Sequence, residues 1–550
     1  MRAAPTAYDL PAINSNARPG RTGLKCLLHP LTAILALQAS LSISMIWSNT
    51  AFNDEGDYLW IGHQVIAHWL HSTPWDSGYA YSVLSGSPFI YPPLGAAADS
   101  LGGLAGARLL SLIFLMGATA CLWSVTRRLY GTVAASIAAA LWVACAPAIK
   151  LGAFATYDGM SVFLMAISAW LVVQAGDRKH RGEIIALASV VLGASAATAY
   201  SGLLMVPIVV IFSFIGLRVT VDPRLAIHCA CWLAAGSILF FAALMMVSHS
   251  WRGLMFTVIN RQVGGASAST SHVISDSWTF TGLIVILAAF GSLLAVGRSD
   301  QSLRLLTIFL TLTAIIVPIA QSHDQTAVSI DKHLAYGAWF AAAAAGYGCS
   351  RAIEILLGAR MSKATAILSC VTALTYPAIN GWDSAWHDFH SWDNASSLIS
   401  TLSPIAQRVP GLVYVPNGDM FTVAYSTRSV ASWERWTYSL PSPYGKTLES
   451  GKYGVIVLFY TTSISSPALG NNLIFAASDS NIRSSLLNLV GENSRNSELA
   501  ALTSALEANS SYKLVAIGPF DSDTESATYA IWQTSGSGTA KTVTRKAVKR

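Results

Sequence analysis

The stretch LLHPLTAILALQASLSISMIWSNTAFNDEGDY, residues 27–58, decides the fold class. Its first part, Leu27 to Trp47, has about the length that a helix needs to cross a hydrocarbon core of roughly 30 Å. Three carboxylates follow within four positions (Asp54, Glu55 and Asp57), in a chain in which only 11% of the 550 residues are charged. The stretch therefore predicts a membrane-spanning helix that leaves the bilayer into an acidic segment beside the lipid headgroups.

The composition of the whole chain agrees with a membrane protein. Hydrophobic residues make up 53% of the sequence, and the mean hydropathy of +0.49 argues against a soluble globular protein of this length. The net charge of +6 does not indicate a nucleic-acid partner, because the basic residues are scattered in short groups between apolar segments. No Cys/His spacing resembles a structural zinc site.

Eleven apolar stretches are candidate membrane spans, over residues 27–47, 106–126, 131–149, 159–174, 184–200, 203–218, 225–248, 281–297, 305–320, 334–356 and 365–379. The basic groups between them obey the positive-inside rule if all of them face the cytoplasm. These groups are Arg2 to Lys25, Arg127/Arg128, Lys179/Arg181, Arg218/Arg224, Arg298/Arg304 and Arg360/Lys363. An odd number of spans then sends everything after Ile379 to the outside.

The predicted organisation follows from these spans. We expect a cytoplasmic tail (1–26), a transmembrane domain (27–379) with a first outer loop (49–105), a soluble extracytoplasmic α/β domain (380–534) and a disordered basic tail (535–550). Within the first loop, Tyr58 to Leu70 shows helical spacing and predicts a helix along the membrane surface. Residues 251–280 read as a flexible outer loop. The α/β domain is indicated by β-rich runs at 411–415, 453–460 and 512–517, which alternate with helical candidates at 396–408, 481–490 and 497–508. The fold class is thus mainly α and polytopic.

Two carboxylates are the leading candidates for chemistry. Asp54, at the outer end of the first span, has the position of a general base for a lipid-borne substrate, although a solvated loop is the bland alternative. Asp158, in Phe154-Ala-Thr-Tyr-Asp158, opens the fourth span, where a carboxylate is costly unless it is paired, hydrated or functional. The alternative for Asp158 is an N-terminal helix cap. Cations near the same face could hold a phosphate or merely anchor the chain at the interface, and these are Arg108, Lys332, His333, Arg252 and Arg261.

The order of these motifs resembles the GT-C superfamily of integral-membrane glycosyltransferases, especially the branch of aminoarabinose transferase and the protein O-mannosyltransferases. The motifs that carry the resemblance are Asp54-Glu55 with Tyr58, Tyr91-Pro-Pro-Leu94 leading to Arg108, Arg127-Arg-Leu-Tyr-Gly131, Asp158, and Asp331-Lys332-His333-Leu-Ala-Tyr336. The similarity in pattern covers about 380 residues.

The resemblance implies transfer of a sugar from a polyprenyl-phosphate donor to a lipid, glycan or protein acceptor at the outer face of the membrane. It makes Asp54 the general base, Glu55 its supporting carboxylate and Asp158 a second acidic group of the cavity. It places Arg108, Lys332 and His333 at the lipid phosphate, with Arg252 and Arg261 as further phosphate-binding candidates. It also implies a bacterial inner membrane location. We therefore expect Asp54 and Asp158 to converge in one outward-facing cavity.

Some questions stay open from the sequence. Relatives often carry a lysine at the outer end of the fifth span, where this chain has Thr198-Ala-Tyr-Ser201. Three carboxylates could bind a divalent metal, but the sequence does not decide whether one is used. The runner-up interpretation is a transporter or lipid flippase, whose intramembrane carboxylates relay ions. A catalytically inactive relative that serves as an assembly partner is a third.

Overall fold

Helices make up most of the structure, a computed structural model that describes residues 29–176, 179–218, 221–260, 267–358, 363–416, 420–462, 497–520 and 526–535. The helices before residue 200 are α1 (Pro30–Ile46), α2 (Asn53–His71), α3 (Ser77–Val83), α4 (Tyr91–Tyr130), α5 (Thr132–Val143), α6 (Ala146–Ala153), α7 (Tyr157–Ala175) and α8 (Arg181–Thr198). Those up to residue 389 are α9 (Met205–Leu217), α10 (Pro223–Val247), α11 (Trp251–Met255), α12 (Thr270–Val296), α13 (Gln301–Leu312), α14 (Ile316–His323), α15 (Ile330–Gly358) and α16 (Lys363–Phe389). Short 3₁₀ turns precede α9 (Tyr200–Leu204) and α14 (Thr313–Ile315), and a π turn (Phe256–Asn260) follows α11.

The helices confirm a polytopic, mainly α membrane fold. Among the described residues, seven helical segments are long and apolar enough to cross a membrane, and the pair α5–α6 makes an eighth if it is counted as one span. The predicted spans lie on helices, but α1, α15 and α16, at the spans predicted at 27–47, 334–356 and 365–379, are not among these segments. The span predicted at 131–149 is wrong as a single straight element. It bends by 65° between α5 and α6. The reason is local: Cys145 is extended, and Pro147 in the first turn of α6 has no N–H to continue the hydrogen bonds of α5.

Small residues let the membrane helices approach closely. The Ala- and Gly-rich middle of α15 packs between α5 and α12. A Cβ on Gly346 would lie 2.3 Å from the Ala134 carbonyl oxygen, and one on Gly291 would lie 2.4 Å from that of Ala344. In lipid the hydrophobic effect does not drive helices together, so close backbone packing of this kind holds them in contact instead. It fixes the position of α15, whose first turn carries Lys332.

The helix ends separate the charges into two groups. The basic turns, at Arg127/Arg128, Arg181, Arg218/Arg224 and Arg298/Arg304, lie at one end of the bundle. The last turn of α1 and the first turns of α7 and α15 lie at the opposite end, together with the acidic start of α2. This separation is the arrangement that the positive-inside rule requires of a multi-pass protein.

Two outer segments are more helical than predicted. The loop at 49–105 contains α2, α3 and the start of α4, which kinks at Gly102 and Gly103, where Gly103 has a positive φ of 64°. The helix predicted over Tyr58–Leu70 is present and starts five residues earlier, at Asn53. The flexible loop predicted at 251–280 is helical at both ends, where α11 begins at Trp251 and α12 at Thr270, and residues 261–266 lie outside the described residues.

The chain after α16 forms the predicted α/β unit. Its helices are α17 (Ser396–Arg408), α18 (Met420–Ser426), α19 (Tyr444–Glu449) and α20 (Ser497–Ala508), and its strands are β1 (Leu412–Tyr414), β2 (Trp436–Thr437), β3 (Tyr453–Thr462), β4 (Tyr512–Phe520) and β5 (Ser526–Thr534). The sheet order is β2-β1-β3-β5-β4, with β1 parallel to β2 and β3, and β5 antiparallel to β3 and β4. The helix predicted at 481–490, like the tails 1–26 and 536–550, lies outside the described residues.

The C-terminal unit packs directly on α2. Trp60 of α2 is buried in the same apolar cluster as Phe421 of α18 and Val455 of β3. The Thr422 hydroxyl donates to the Ala51 carbonyl, at 2.8 Å. Gly56 lies under the backbone of α18, since a Cβ there would be 2.8 Å from the Phe421 carbonyl oxygen. The acidic end of α2 is therefore held between the bundle and the C-terminal unit.

Candidate active site

The acidic residues of α2 point in different directions because they form the first helical turn rather than a loop. Phe52 is the N-cap residue, and the Glu55 side chain, at the third helical position, accepts its backbone N–H at 3.0 Å. Carboxylates in a first turn also interact favourably with the positive end of the helix dipole. The turn buries Glu55 completely, whereas Asp54 keeps 34% of its side chain exposed.

Glu55 and Arg108 form a saturated ion pair in the interior, which corrects two predicted roles. Arg108 Nε and Nη2 donate to the two Glu55 oxygens at 2.9 and 2.7 Å. The remaining N–H groups donate to the carbonyls of Ile46, Asn49 and Thr50. Glu55 Oε1 also accepts the N–H of Ala155. Arg108 therefore has no donor left for a phosphate, and Glu55 supports the junction of α1, α2, α4 and α7 rather than the chemistry.

Asp54 meets Lys332 across 278 residues of sequence. Lys332 Nζ donates to Asp54 Oδ2 at 2.7 Å, and its side chain is 6% exposed. The Lys332 ammonium also interacts electrostatically with Asp158 and with its neighbour Asp331. The structure thus brings Asp54, Asp158 and Lys332 to one place, at the ends of α2, α7 and α15. Lys332 lies against the carboxylates instead of standing apart from them.

Asp158 is buried in the first turn of α7, and its alternative as a helix cap is wrong. The N-cap position belongs to Thr156, and Asp158 makes no cap hydrogen bond. Its side chain is 1% exposed, and Oδ1 has no hydrogen-bond partner among the described residues. A buried carboxylate oxygen without a partner is expensive, so such groups usually have a functional reason. Asp158 therefore points to a ligand-binding role.

The charges around Lys332 do not form a metal site. Within the part of the chain that the structure describes, no group of three His, Cys, Asp or Glu side chains is placed to hold an ion. The carboxylates of Asp54 and Asp158 share the ammonium of Lys332, which supplies the positive charge that a divalent ion would bring.

His333 lies at the edge of this group. Its Nδ1 is 3.5 Å from Nε2 of Gln321, which in turn donates to the Val328 carbonyl. The ring interacts electrostatically with Asp158, Asp331 and Lys332. His333, predicted to face the lipid phosphate, therefore lies near the carboxylates, and its hydrogen-bond partner Gln321 belongs to the last turn of α14.

Arg252 lines a cavity of about 500 Å³. The other lining residues are mostly aromatic or polar, namely Trp69, Trp75, Ser77, Tyr81, Phe89, Val247, Ser248 and His249. Burial raises the pKa of Tyr81, and the nearby charge of Arg252 acts in the opposite direction. The guanidinium makes no side-chain hydrogen bond or ion pair with any described residue. Arg261, the other predicted loop cation, lies outside the described residues.

Tyrosines occupy the region between the carboxylates and this cavity. Tyr157 stacks on Tyr58 with ring centroids 4.5 Å apart, and its hydroxyl accepts the N–H of Ser85 at 3.3 Å. Tyr200 interacts electrostatically with both Tyr157 and Tyr81 and donates to the Ser250 carbonyl at 3.1 Å.

Sequence reasoning missed Lys150 and Asp388. Lys150 Nζ is 2.6 Å from Asp331 Oδ2 and 2.6 Å from Asp388 Oδ2. A signal was present, because Lys150 is a lone cation directly after the apolar residues 131–149, and a charge at membrane depth usually has a specific partner. The partners come from α15 and α16, and only the fold shows that these helices meet α6.

A second missed group joins the C-terminal unit to the bundle. Asp99 of α4 is completely buried and accepts hydrogen bonds from the Tyr425 hydroxyl and from Arg428 Nη2, at 2.5 and 2.7 Å. Its Oδ2 also lies 2.5 Å from His63 Nε2. Nearby, Asp57 accepts the Tyr79 hydroxyl at 2.8 Å, and burial followed by the charge of Asp57 raises the pKa of Tyr79 well above its usual value. Tyr79 therefore stays protonated and keeps donating.

Comparison with known proteins gives this geometry a context. Residues 101–245, about a quarter of the chain, match the family described as dolichyl-phosphate-mannose-protein mannosyltransferase. No curated protein matches the sequence. Among solved structures, the oligosaccharyltransferase of Archaeoglobus fulgidus tethered to an acceptor peptide is 13% identical, with a TM-score of 0.55 over 79% of this chain and 69% of that one.

Two further structures hold a lipid phosphate. The Archaeoglobus fulgidus oligosaccharyltransferase AglB, with an inhibitory peptide and a dolichol-phosphate, has a TM-score of 0.53 at 12% identity, over 79% of this chain and 70% of that one. ArnT from Cupriavidus metallidurans, bound to undecaprenyl phosphate, has a TM-score of 0.51 at 12% identity, over 83% and 97% of the two chains. The resemblance predicted from the sequence is thus confirmed in the fold, which the chain shares with these membrane proteins.

Proposed function

We propose that this protein is a membrane glycosyltransferase that moves a sugar from a polyprenyl-phosphate-sugar donor to an acceptor hydroxyl of a lipid, glycan or protein. The observation that carries the proposal is the meeting of Asp54, Asp158 and Lys332 at the ends of three separate helices. The relatives support the donor class, since the matching family is described by dolichyl-phosphate-mannose and ArnT was solved with undecaprenyl phosphate. The reported matches are enzymes of sugar transfer and give no support to a transporter.

Asp54 is the general base in this proposal. Lys332 holds one of its oxygens, and the exposed third of the side chain leaves room for an acceptor hydroxyl. The acceptor oxygen bonds to the anomeric carbon while Asp54 takes the hydroxyl proton. The bond from that carbon to the phosphate oxygen breaks, and its electron pair leaves with the phosphate. A single displacement of this kind inverts the anomeric configuration.

Arg252 is the proposed partner of the departing phosphate. Its guanidinium has no hydrogen-bond or ion-pair partner among the described residues and lines an aromatic cavity, whereas the guanidinium of Arg108 is saturated. A guanidinium can hold two phosphate oxygens at once and so stabilises the charge that develops on the leaving group. Asp158 Oδ1, which has no partner among the described residues, is proposed to accept a hydrogen bond from a hydroxyl of the transferred sugar.

The proposed active site faces the outer side of a bacterial inner membrane, and the C-terminal unit is extracytoplasmic. The support is the charge distribution, because the basic turns lie at the end of the bundle away from Asp54 and Lys332. Polybasic turns remain in the cytoplasm during insertion. The C-terminal unit packs on α2, at the acidic end.

The test is sugar transfer by the purified protein in lipid nanodiscs. Undecaprenyl phosphates carrying radiolabelled hexoses or pentoses serve as donors, and extracted envelope lipids, glycans or peptides serve as acceptors. Replacing a general base typically lowers turnover by about 10²–10⁴-fold, and we expect a loss in this range for Asp54→Asn. Asp383→Asn is the matched control, because Asp383 is an exposed aspartate of α16 that pairs with His387.

The phosphate assignment has its own control. We expect Arg252→Met to raise the KM for the donor by roughly 10-fold or more, the value of a lost charge-assisted hydrogen bond, with a smaller change in kcat. Arg224→Met, at the opposite end of the bundle, should leave both constants unchanged. Full activity of folded Asp54→Asn would remove Asp54 from the reaction. Failure of the wild type with every donor would exclude the proposed reaction class.

A further inference from the structure

A chain of alternating charges extends from the proposed base into the bundle. Lys332 pairs with Asp54, Asp331 precedes Lys332 on α15, and Lys150 bridges Asp331 and Asp388 with two contacts of 2.6 Å. Lys150 has only 9% of its side chain exposed. Its ammonium therefore joins three elements that are distant in sequence, α6, α15 and α16.

Lys150 lies close to Lys332 although the two do not bond. Lys150 Nζ is 5.4 Å from the ring centroid of Phe154, and Lys332 Nζ is 5.5 Å from the same centroid. The two ammonium groups are thus no farther apart than the sum of these distances. Each approaches the negative face of one aromatic ring, which attracts cations.

The position of Lys150 follows from the broken span. The 65° bend between α5 and α6 turns α6 across the bundle, toward the starts of α7 and α15. A straight helix over 131–149 would carry Lys150 along the span axis instead. The bend places a cation beside the first turn of α15, where Lys332 pairs with Asp54.

The charge balance of the site depends on this cation. The titratable groups that face one another here are Asp54 on α2, Lys150 on α6, Tyr157 and Asp158 on α7, Asp331, Lys332 and His333 on α15, and Asp388 on α16. Four are carboxyl groups and two are amines. Loss of Lys150 would leave Lys332 as the remaining lysine among four acids.

We propose that Lys150 is a positioning residue of the active site, which fixes the Lys332 end of α15 through Asp331 and Asp388 and balances the charge beside Asp54. It does not touch substrate. The inference rests on the proposed function, since it assigns Lys332 and Asp54 to the reaction. It adds a residue that the sequence motifs of the site do not contain.

The experiment compares Lys150→Met, Asp388→Asn and the double variant in the nanodisc transfer assay, from pH 5 to pH 9. We expect Lys150→Met to lower kcat at least 10-fold with little change in the donor KM. The acid limb of its pH–rate profile should move to higher pH by roughly one unit, because a lost nearby positive charge makes the carboxylates harder to ionise. Asp388→Asn should move the limb to lower pH, and the double variant should return it toward the wild-type position.

A purely structural role would lower the yield or activity of these variants without opposite shifts of the limb. Lys150→Met and Asp388→Asn with wild-type kcat and unshifted profiles would overturn the proposal. Lys446→Met, on the short helix α19 of the C-terminal unit, is the control for a lost lysine. Asp388→Asn keeps the test usable if Lys150→Met does not fold.

Thermal unfolding separates this inference from the proposed function. In Lys150→Met the carboxylates of Asp331 and Asp388 lose their shared cation, so protonation should recover part of the lost stability. We therefore expect the deficit in melting temperature to shrink between pH 8 and pH 5, and the double variant to show a smaller pH dependence. If the wild type transfers no sugar but these shifts appear, the reaction assignment fails and the charge network stands. A deficit that is independent of pH would contradict the network itself.

Discussion

Replacing Arg108 by methionine keeps much of the side-chain volume but removes five hydrogen bonds from the interior. The change leaves the carboxylate of Glu55 buried without its cation, which costs about 3–5 kcal/mol for a buried pair. Three backbone carbonyls also lose a donor, and each such loss is worth about 1–3 kcal/mol. The contributions share one site and do not simply add. We expect a loss of at least about 5 kcal/mol, comparable to the whole stability of many proteins.

The assay is thermal unfolding of the purified protein in detergent, followed by intrinsic tryptophan fluorescence, together with the yield of monodisperse protein. Arg108→Met should give little folded protein. Arg108→Met combined with Glu55→Gln should recover part of the loss, because the second change removes the stranded charge. Arg252→Met is the matched control, because Arg252 is an exposed arginine at the same end of the bundle. This variant should have the same melting temperature as the wild type.

The opposite pattern would refute this reasoning. Arg108→Met could melt within about 2 °C of the wild type, a change in melting temperature far smaller than the expected loss of stability implies. If it also raises the donor KM, then Arg108 contacts the lipid phosphate as the sequence motif implied. The description of Arg108 as a saturated structural residue would then be wrong. Recovery by Glu55→Gln would also be absent, since no buried charge would have been stranded.

Two further predictions concern the attachment of α2. Asp99→Ala removes the acceptor shared by His63, Tyr425 and Arg428, and we expect it to loosen the C-terminal unit. In limited proteolysis the variant should then be cleaved at protease concentrations that leave the wild type intact. Unchanged protease resistance would show that the apolar contact alone holds this unit. Gly62→Ala places a Cβ 2.0 Å from the Pro92 carbonyl oxygen, so α2 must move away from α4, and we expect lower melting temperature and lost transfer. Gly182→Ala, with no atom within 4 Å of the new Cβ, should be neutral or slightly stabilising, and equal effects of the two changes would contradict the contact.

The sequence was sufficient for the membrane class and for the pair of carboxylates that come together. Apolar stretches of span length and the alternation of basic groups between them are required by the bilayer as solvent. They can therefore be recognised in the sequence without knowledge of the tertiary structure. Asp54 and Asp158 could be singled out because a carboxylate at a span end is rare and costly. The motif Asp331-Lys332-His333 likewise marked the correct turn of α15.

The sequence could not show which residue of each motif faces the candidate site and which one is buried in a structural ion pair. Asp54 and Glu55 are adjacent in sequence, and only the helical turn that begins at Asn53 sends one toward Lys332 and buries the other on Arg108. Arg108 has the sequence context of a ligand-binding cation, yet its five donors are used by partners that lie close only in the fold. The pairing of Lys150 likewise depends on a 65° bend that hydropathy does not register.

The separation of Asp54 from Lys332 by 278 residues has a consequence for biosynthesis. The ribosome releases α2 long before α15, and Thr422, which secures the start of α2, emerges later still. A nascent or truncated chain thus carries a carboxylate that lacks both its cation and its anchor. If Asp54 and Lys332 act as proposed, such a chain is inactive until α15 and the C-terminal unit have been synthesised and packed against α2.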